Sequence, residues 1–197
     1  MVEITFDGTA YTCGDDETVL QALLRHGVDV PYSCEQGTCL TCLVKASGDI
    51  IAAEARKNLN PALIERGYIL ACMCRPKAPL TLEAGDDAVI YGRATVSAIE
   101  VLTPDVSRVT LRPATPLYYR AGQFINIRRE DGIVRSYSLA SVPRLDRELE
   151  LHVKRMANGQ MSNWLCDQVK AGDGVDLQGP NGDCFYDPAL REKNLLL

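Results

Sequence analysis

Three cysteines in the first quarter of the chain have a spacing that suits iron–sulfur chemistry. Cys34, Cys39 and Cys42 read C-x₄-C-x₂-C, the spacing of a plant-type [2Fe–2S] site, which needs one further thiolate from elsewhere. A short turn can aim three thiolates inward only if its backbone coils tightly, and Gly37 permits this because glycine reaches positive φ at little cost. The same loop carries three small hydroxyl residues that could donate hydrogen bonds toward the sulfurs: Ser33, Thr38 and Thr41.

Two cysteines further along the chain are candidates for the fourth ligand. Cys72 and Cys74 lie in one segment that ends at Arg75-Pro76. If this segment is a strand, both side chains point to the same face, because side chains alternate across a strand with a period of two. Periodicity therefore leaves the choice between them open.

Other uses of cysteine fit the chain less well. A zinc site is possible at Cys39-x-x-Cys42, but zinc ligand pairs rarely have a third cysteine just upstream. A disulfide framework is expected of a secreted protein, and no signal peptide precedes these cysteines. The chain is therefore expected to work in a reducing cytoplasm, and we predict that Cys13, Cys166 and Cys184, which have no motif around them, are ordinary buried thiols.

Composition and charge indicate a two-domain globular protein. The chain has 197 residues, with 46% hydrophobic and 24% charged side chains. It contains no apolar run approaching the ~20 residues that a membrane span needs. Residues 1–84 carry 11 acidic and 7 basic side chains, and residues 85–197 carry 15 and 14. The acidic first half argues against nucleic-acid binding and suits transient docking on a basic patch of a redox partner.

The first half is predicted to contain a hairpin, a helix and further strands. Val2–Phe6 alternates, Asp7-Gly8 is a turn signal, and Thr9–Cys13 returns as a second strand. Thr18 can cap a helix that Gly27 ends. After the cysteine loop the pattern predicts a strand, a short helical segment and two more strands, namely Leu43–Ala46, Asn60–Ile64, Ile69–Cys72 and Leu80–Glu83.

A polar, turn-rich stretch over residues 85–92 is predicted to link two domains. Beyond it lie six short strands and one helix near Ser162–Lys170, which predict a small antiparallel barrel. The six predicted strands are Ala94–Glu100, Val106–Arg112, Gln123–Arg128, Arg135–Ala140, Glu148–Arg155 and Gly174–Gln178.

The fourth of these strands begins with an R-x-Y-S tetrapeptide, Arg135 to Ser138. Period-two alternation puts Arg135 and Tyr137 on one face, so that a guanidinium and an aromatic ring can serve one ligand. Arginine suits phosphate because its planar fork of donors matches phosphate oxygens. Tyrosine can stack on a flavin ring, and Ser138 can reach the edge of the ring.

A glycine-led helix start follows at Gly159-Gln160-Met161-Ser162. The N-terminus of a helix presents free amides and the positive end of the helix dipole to a pyrophosphate. Together with the phosphate-binding Arg135, this start predicts a dinucleotide site.

The two halves together resemble the reductase component of bacterial multicomponent oxygenases. In that family a plant-type ferredoxin domain is fused to a flavin domain of the ferredoxin–NADP⁺ reductase superfamily, whose patterns are also matched by Gly122-Gln123-Phe124 and Gly179-Pro180-Asn181-Gly182. The resemblance implies an α+β fold, with a β-grasp ferredoxin domain over residues 1–84 and a six-stranded antiparallel, FAD-binding β-barrel over residues 93–187. Residues 188–197 would begin a truncated NAD(P)-binding domain.

The resemblance also assigns the site residues. In the ferredoxin pattern a proline follows the last ligand by four residues, so Pro76 selects Cys72 and leaves Cys74 as a spare thiol. The implied cluster ligands are Cys34, Cys39, Cys42 and Cys72. Arg135 would bind FAD phosphate, and the implied FAD-binding set is Arg135, Tyr137, Ser138, His152, Lys154, Gly159, Gln160, Met161 and Ser162. No residue is predicted to be catalytic.

The implied function is electron transfer. In the family, electrons pass from NAD(P)H through FAD and a [2Fe–2S] cluster to an oxygenase component or its ferredoxin, and NAD(P)H binding is expected only with the missing C-terminal domain. The alternative is an electron-transfer module for another acceptor, such as a deoxysugar dehydratase, or a carrier that does not oxidise NAD(P)H. We expect a cytoplasmic monomer that binds neither nucleic acid nor membrane.

Overall fold

The computed structural model describes residues 1–48, 50–143 and 145–184. The chain divides into two compact units between Ile90 and Tyr91. The segment predicted to begin a nucleotide-binding domain, residues 188–197, lies outside the described residues.

The first unit is built on a mixed five-stranded sheet. Its strands are β1 (Val2–Phe6), β2 (Thr9–Cys13), β3 (Leu43–Ser47), β4 (Tyr68–Leu70) and β5 (Leu80–Ala84). They lie in the order β2-β1-β5-β3-β4, and β1 and β5 are parallel while the other pairs are antiparallel. The hairpin between β1 and β2 turns at Asp7 and Gly8, which both have positive φ as a tight hairpin turn requires. The predicted β-grasp type of α+β fold is thus confirmed for this unit.

Helix α1 (Val19–Arg25) packs on this sheet and begins where the sequence predicts. Thr18 and Gln21 form a capping box, in which each side chain accepts a hydrogen bond from the other residue's backbone amide. Two further helices, α2 (Pro61–Glu65) and α3 (Asp87–Ile90), and a 3₁₀ turn at Ala53–Arg56 complete the unit. The segment predicted as a linker therefore contains a helical turn.

The strand predicted at Ile69–Cys72 is shorter than expected, because β4 ends at Leu70. The Ala71 amide donates to the Cys42 carbonyl at 3.0 Å, and the Met73 amide donates to the Leu70 carbonyl at 3.0 Å, so the chain turns out of the sheet. Cys72 and Cys74 consequently lie in a turn. The premise that both face the same side of a strand is wrong.

The second unit consists of a six-stranded antiparallel sheet and one helix. Its strands are β6 (Gly92–Thr103), β7 (Val106–Pro113), β8 (Phe124–Arg128), β9 (Val134–Ser138), β10 (Leu149–Lys154) and β11 (Gly174–Asn181), in the order β10-β7-β6-β11-β8-β9. Helix α4 (Gln160–Asp167) begins two residues earlier than predicted, because Gly159 serves as its N-cap. The predicted six-stranded antiparallel architecture is confirmed.

The hydrogen-bonded ladder does not close into a complete barrel among the described residues, since β9 and β10 are the two edges of the sheet. These edges approach each other beyond the end of β9, where the Ala140 amide donates to the Glu150 carbonyl at 2.8 Å. The Glu150 amide in turn donates to the Ser141 hydroxyl at 3.0 Å. An opening therefore remains between β9 and β10 along their length.

All eight cysteines are free thiols, which agrees with the absence of a disulfide framework. Cys13 is buried, as predicted. Cys166 is only half-buried and Cys184 is exposed, so the prediction of burial is wrong for these two. Among the described residues, no helix is long and apolar enough to cross a bilayer.

Candidate cofactor sites

The cysteine loop coils through three residues in left-handed conformation. Glu35, Gly37 and Leu40 have φ values of 54°, 73° and 57°. Such values are uncommon outside glycine, and three of them within one short loop reverse the chain repeatedly. This coil turns the thiols of the loop toward its own interior.

Cys34 and Cys39 form the first pair of thiols. The Cys39 amide donates to the Cys34 sulfur at 3.3 Å, and the Cys34 amide donates to the Cys39 sulfur at 3.4 Å. Burial raises the pKa of Cys34, but hydrogen bonds from Thr38 and from the Gln36 and Cys39 amides outweigh it and lower the pKa to about 6. The loop therefore favours a thiolate, the form that binds metal, at Cys34, whereas burial raises the pKa of Cys39.

Cys42 and Cys72 form the second pair. Both are buried, and the Ala71 amide that donates to the Cys42 carbonyl brings the two segments together. A hydrogen bond between the two sulfurs raises the pKa of Cys42 and lowers the pKa of Cys72. The backbone of Gly37 also contributes a hydrogen bond that lowers the pKa of Cys72.

Cys74 lies in a different environment from Cys72. Its thiol is buried, and its pKa is raised to about 11, first by desolvation and then by the charge of Cys13. Its carbonyl accepts a hydrogen bond from the Val19 amide at 2.8 Å. The structure thus brings Cys72 to the cysteine loop and sets Cys74 beside Cys13.

The donor set fits a two-iron cluster. A [2Fe–2S] centre of this type is held by four thiolates over two irons, which calls for thiols arranged in two pairs. The two pairs in this unit, Cys34 with Cys39 and Cys42 with Cys72, match this arrangement.

Thr41 supports the first pair from the side of the core. Its hydroxyl donates to the Cys39 sulfur at 3.1 Å, and the side chain is only 5% exposed. A buried hydroxyl has few other partners, so this bond is retained when the sulfur carries charge. Such hydrogen bonds to cluster sulfurs are one of the means by which a protein sets reduction potential.

A groove of about 460 Å³ lies where edge strands β9 and β10 meet the loop that leads into α4. Residues from both strands, from that loop and from the first turn of α4 line it. They are Arg135, Ser136, Tyr137, Lys154, Met156, Asn158, Gly159, Gln160, Met161 and Ser162.

Most of the predicted FAD-binding residues line this groove, and two do not. Ser138 is exposed at the end of β9, opposite Phe124 in the sheet register. His152 is exposed on β10, and its Nε2 lies 2.8 Å from Glu150 Oε1.

Three lining residues were missed by the sequence reasoning: Ser136, Met156 and Asn158. Asn158-Gly159 is a turn dipeptide, and Asn158 has a φ of 59°, a conformation that asparagine tolerates better than most residues. That dipeptide is a signal that could have identified the loop.

The start of α4 leaves its first amides available to a ligand. Gly159 is the N-cap, and no side chain caps the helix. A Cβ atom at position 159 would collide with Ser162 Oγ and lie 2.8 Å from Met156 Cβ, so the loop can pack this closely on the helix start only with glycine at this position. Ser162 Oγ accepts a hydrogen bond from the Met156 amide at 3.2 Å and thereby closes the loop. This is the arrangement of an anion-binding helix terminus.

The side chains of β9 are held by a buried polar network. The Ser136 hydroxyl donates to Asn126 Oδ1 at 2.6 Å, and Asn126 Nδ2 donates to Gln178 Oε1. Asn126 is fully buried, so these bonds tie β9 to β8 and β11 inside the unit. Burial raises the pKa of Tyr137 to about 12, so its phenol stays neutral beside Arg135.

Two protein families match the two units. Residues 3–77 match the 2Fe-2S iron-sulfur cluster binding domain, and residues 93–186 match the oxidoreductase FAD-binding domain. These assignments agree with the thiol pairs of the first unit and the groove of the second.

Relatives of known function share both units. The phenol 2-monooxygenase reductase component DmpP of Pseudomonas sp. strain CF600 is 35% identical over 93% of this chain and 55% of its own length. The CDP-6-deoxy-L-threo-D-glycero-4-hexulose-3-dehydrase reductase of Yersinia pestis is 30% identical over 98% of this chain and 60% of its own. The crystal structure of the Amycolatopsis cytochrome P450 reductase GcoB is 33% identical, with a TM-score of 0.51, over 98% of this chain and 61% of that one. The chain thus spans less than two thirds of these relatives.

The environments of Cys72 and Cys74 generate a test of the ligand set. We expect Cys72→Ser to abolish the normal visible spectrum of the iron–sulfur cluster, because only Cys72 pairs with Cys42. The matched variant Cys74→Ser should keep the spectrum, since Cys74 lies beside Cys13. Absorbance and electron paramagnetic resonance spectra of the reduced proteins would measure both, and the reverse outcome would show that the ligand choice is wrong.

The Thr41 hydroxyl generates a second test. We expect Thr41→Val to lower the midpoint potential of the cluster by tens of millivolts. This is on the order of the free energy of one lost hydrogen bond, expressed as a potential for a one-electron couple. The potential falls because the hydrogen bond stabilises the more negative, reduced state. Thr41→Ser keeps the hydroxyl and should restore most of the potential in a spectroelectrochemical titration. Equal potentials in the wild type and Thr41→Val would show that this hydrogen bond does not affect the midpoint potential.

Proposed function

We propose that the chain belongs to the reductases that join a 2Fe-2S iron–sulfur cluster binding domain to an oxidoreductase FAD-binding domain, and that it carries electrons for a multicomponent oxygenase. One observation carries the proposal: the chain has two cofactor sites of different electron capacity, a four-thiol site and a groove for a dinucleotide. FAD, when bound, allows two electrons to be accepted together and released singly, whereas the cluster carries one.

In the first unit the proposed ligands are Cys34, Cys39, Cys42 and Cys72. Backbone amides of the loop donate to the Cys34 and Cys39 sulfurs and stabilise their negative charge. The buried Thr41 hydroxyl adds one more donor. The protein's part is to hold the thiolates and to limit the water that reaches them.

In the second unit the charges around the groove suit the phosphates of FAD. Arg135 and Lys154 contribute cationic side chains from the two edge strands, and the first amides of α4 face the same space. Gly159 allows the loop to pack closely on the start of α4, and the bond from the Met156 amide to the Ser162 hydroxyl closes this loop. Tyr137 contributes a half-buried, neutral ring on which a flavin can stack.

The other predicted FAD contacts have weaker support. Ser138 follows Tyr137 directly on β9, and we retain it as a contact for the edge of the flavin ring. Because the His152 ring already contacts Glu150 and does not line the groove, we propose a surface role for it on β10.

The electron acceptor is proposed from the relatives. The names of the Pseudomonas and Amycolatopsis proteins refer to a monooxygenase and a cytochrome P450, and these favour an oxygenase component or its ferredoxin as acceptor. The Yersinia relative is named for a dehydrase, and it favours the second candidate, an acceptor that modifies a deoxysugar nucleotide. NAD(P)H as the electron donor, a monomeric state and a cytoplasmic location belong to the same proposal for the whole protein.

One experiment tests the electron-transfer proposal on this chain. Purified protein should show iron–sulfur and flavin absorbance together, and heat should release FAD. Photoreduction of the flavin under anaerobic conditions should then bleach the cluster absorbance as well. A preparation that remains free of flavin after reconstitution, or that contains zinc in place of iron, would contradict the proposal.

The choice between acceptors requires the acceptors themselves. Chemically reduced chain should transfer electrons rapidly to an oxygenase component or its ferredoxin, and slowly to a deoxysugar dehydratase. The opposite order of rates would favour the second candidate.

Arg135 provides a quantitative test of the groove. We expect Arg135→Ala to weaken FAD binding by about 1.5–3 kcal/mol, the scale of a hydrogen bond to a charged group. Arg147→Ala is the matched control, because Arg147 is an exposed arginine of the same unit that does not line the groove. Titration of apoprotein with FAD, followed by flavin fluorescence, measures both. Equal loss of affinity in the two variants would mean that FAD binding depends on the total positive charge of the unit and not on an arginine at position 135.

A further inference from the structure

Gly37 is buried although its neighbours in the cysteine loop are not. Gln36 and Thr38 are exposed, while Gly37 is buried with a φ of 73°. A left-handed turn of this kind persists when the surrounding structure fixes it. Two segments distant in sequence provide the contacts that fix it.

The first contact is made by Met73. A Cβ atom built on Gly37 would lie 2.7 Å from Met73 Cγ and 3.0 Å from Met73 Sδ. The methionine side chain therefore packs directly on the Cα atom of Gly37. Met73 is half-buried against the core of the first unit and follows Cys72 in the chain.

The second contact is made by Asn58. Its Nδ2 donates to the Gly37 carbonyl at 3.1 Å. Asn58 itself has a φ of 66°, so the turn after the 3₁₀ segment is shaped to present this side chain. Gly37 is thus fixed at its Cα atom by one segment and at its carbonyl by another.

The position of Gly37 matters because amides on both sides of it donate to a sulfur. The Gln36 and Cys39 amides donate to the Cys34 sulfur at 3.4 and 3.3 Å. They can stay on that sulfur only while the turn keeps its present conformation. The Met73 side chain also covers the loop backbone at Gly37 with apolar atoms. Amide donation and exclusion of solvent act on the same turn. Amide donation to sulfur and exclusion of solvent are both known to adjust an iron–sulfur cluster.

We propose that Met73 and Asn58 are positioning residues for the cluster. They fix Gly37 within the cysteine loop and keep water from the sulfurs. The proposal rests on the proposed role of Cys34 as a ligand. It assigns Met73 mainly to shielding and Asn58 mainly to keeping the Gln36 and Cys39 amides on the Cys34 sulfur.

Two single variants separate these roles. We expect Met73→Ala to lose its cluster absorbance in air about tenfold faster than wild type, whereas Met73→Leu, which conserves volume, should stay within about twofold. We expect Asn58→Gly to shift the midpoint potential to a more negative value, because the turn that holds the Gln36 and Cys39 amides on Cys34 is released while glycine tolerates the left-handed backbone at position 58. Absorbance decay and spectroelectrochemical titration measure the two effects on the purified chain.

A double-mutant cycle tests the contact directly. Gly37→Ala should destabilise the cluster severely, because the new methyl group collides with Met73 and the backbone is strained. Adding Met73→Ala removes the collision and should recover part of the lifetime, which gives a coupling between the two sites. Strictly additive effects would show that the two residues are not in energetic contact.

Leu24→Ala is the control for general destabilisation, since Leu24 is a half-buried apolar residue of the same unit at the C-terminal end of α1. If Leu24→Ala accelerates cluster loss as much as Met73→Ala, the positioning role is overturned. The same holds if both single variants match wild type while carrying a full complement of iron. A wild-type chain without any cluster would instead overturn the function proposed above.

Discussion

The first unit depends on one junction between a helix start and a turn. The first amides of α1 have no partner within the helix, and two of them donate to the turn that carries Cys72. The Val19 amide reaches the Cys74 carbonyl at 2.8 Å, and the Leu20 amide reaches the Ala71 carbonyl at 3.0 Å. Together with the bond from the Ala71 amide to the Cys42 carbonyl, these bonds fix the turn after β4 and place Cys72 beside the cysteine loop.

The second unit depends on an opening in its sheet. Unpaired strand edges invite unwanted association, and proteins usually cover or close them. Here the ladder stops between β9 and β10, and the gap is lined by the side chains of Arg135 and Lys154 and by the start of α4. The buried network from Ser136 to Asn126 keeps the edge strand in place. The incomplete barrel is therefore a site held open by the surrounding core.

Both sites use backbone amides to stabilise negative charge. The cysteine loop aims its amides at sulfur through left-handed turns, and α4 aims its first amides at the groove through an uncapped N-terminus. In each case a glycine lies where a Cβ atom would collide with a neighbouring side chain, Gly37 against Met73 and Gly159 against Met156. Amides fixed by the fold keep their orientation when the charge changes, which suits groups that carry electrons.

The ligand types and the local motifs followed from the sequence alone, because they lie within one loop, one strand or one helix start. C-x₄-C-x₂-C, R-x-Y-S and the turn before α4 are spacings of a few residues, and local conformation is enough to interpret them. Tertiary structure separated Cys72 from Cys74, because the end of β4 is determined by α1, a helix that comes much earlier in the chain. It also placed Ser138 and His152 outside the groove and Met73 on Gly37. Those outcomes depend on contacts between distant segments, which no local pattern specifies.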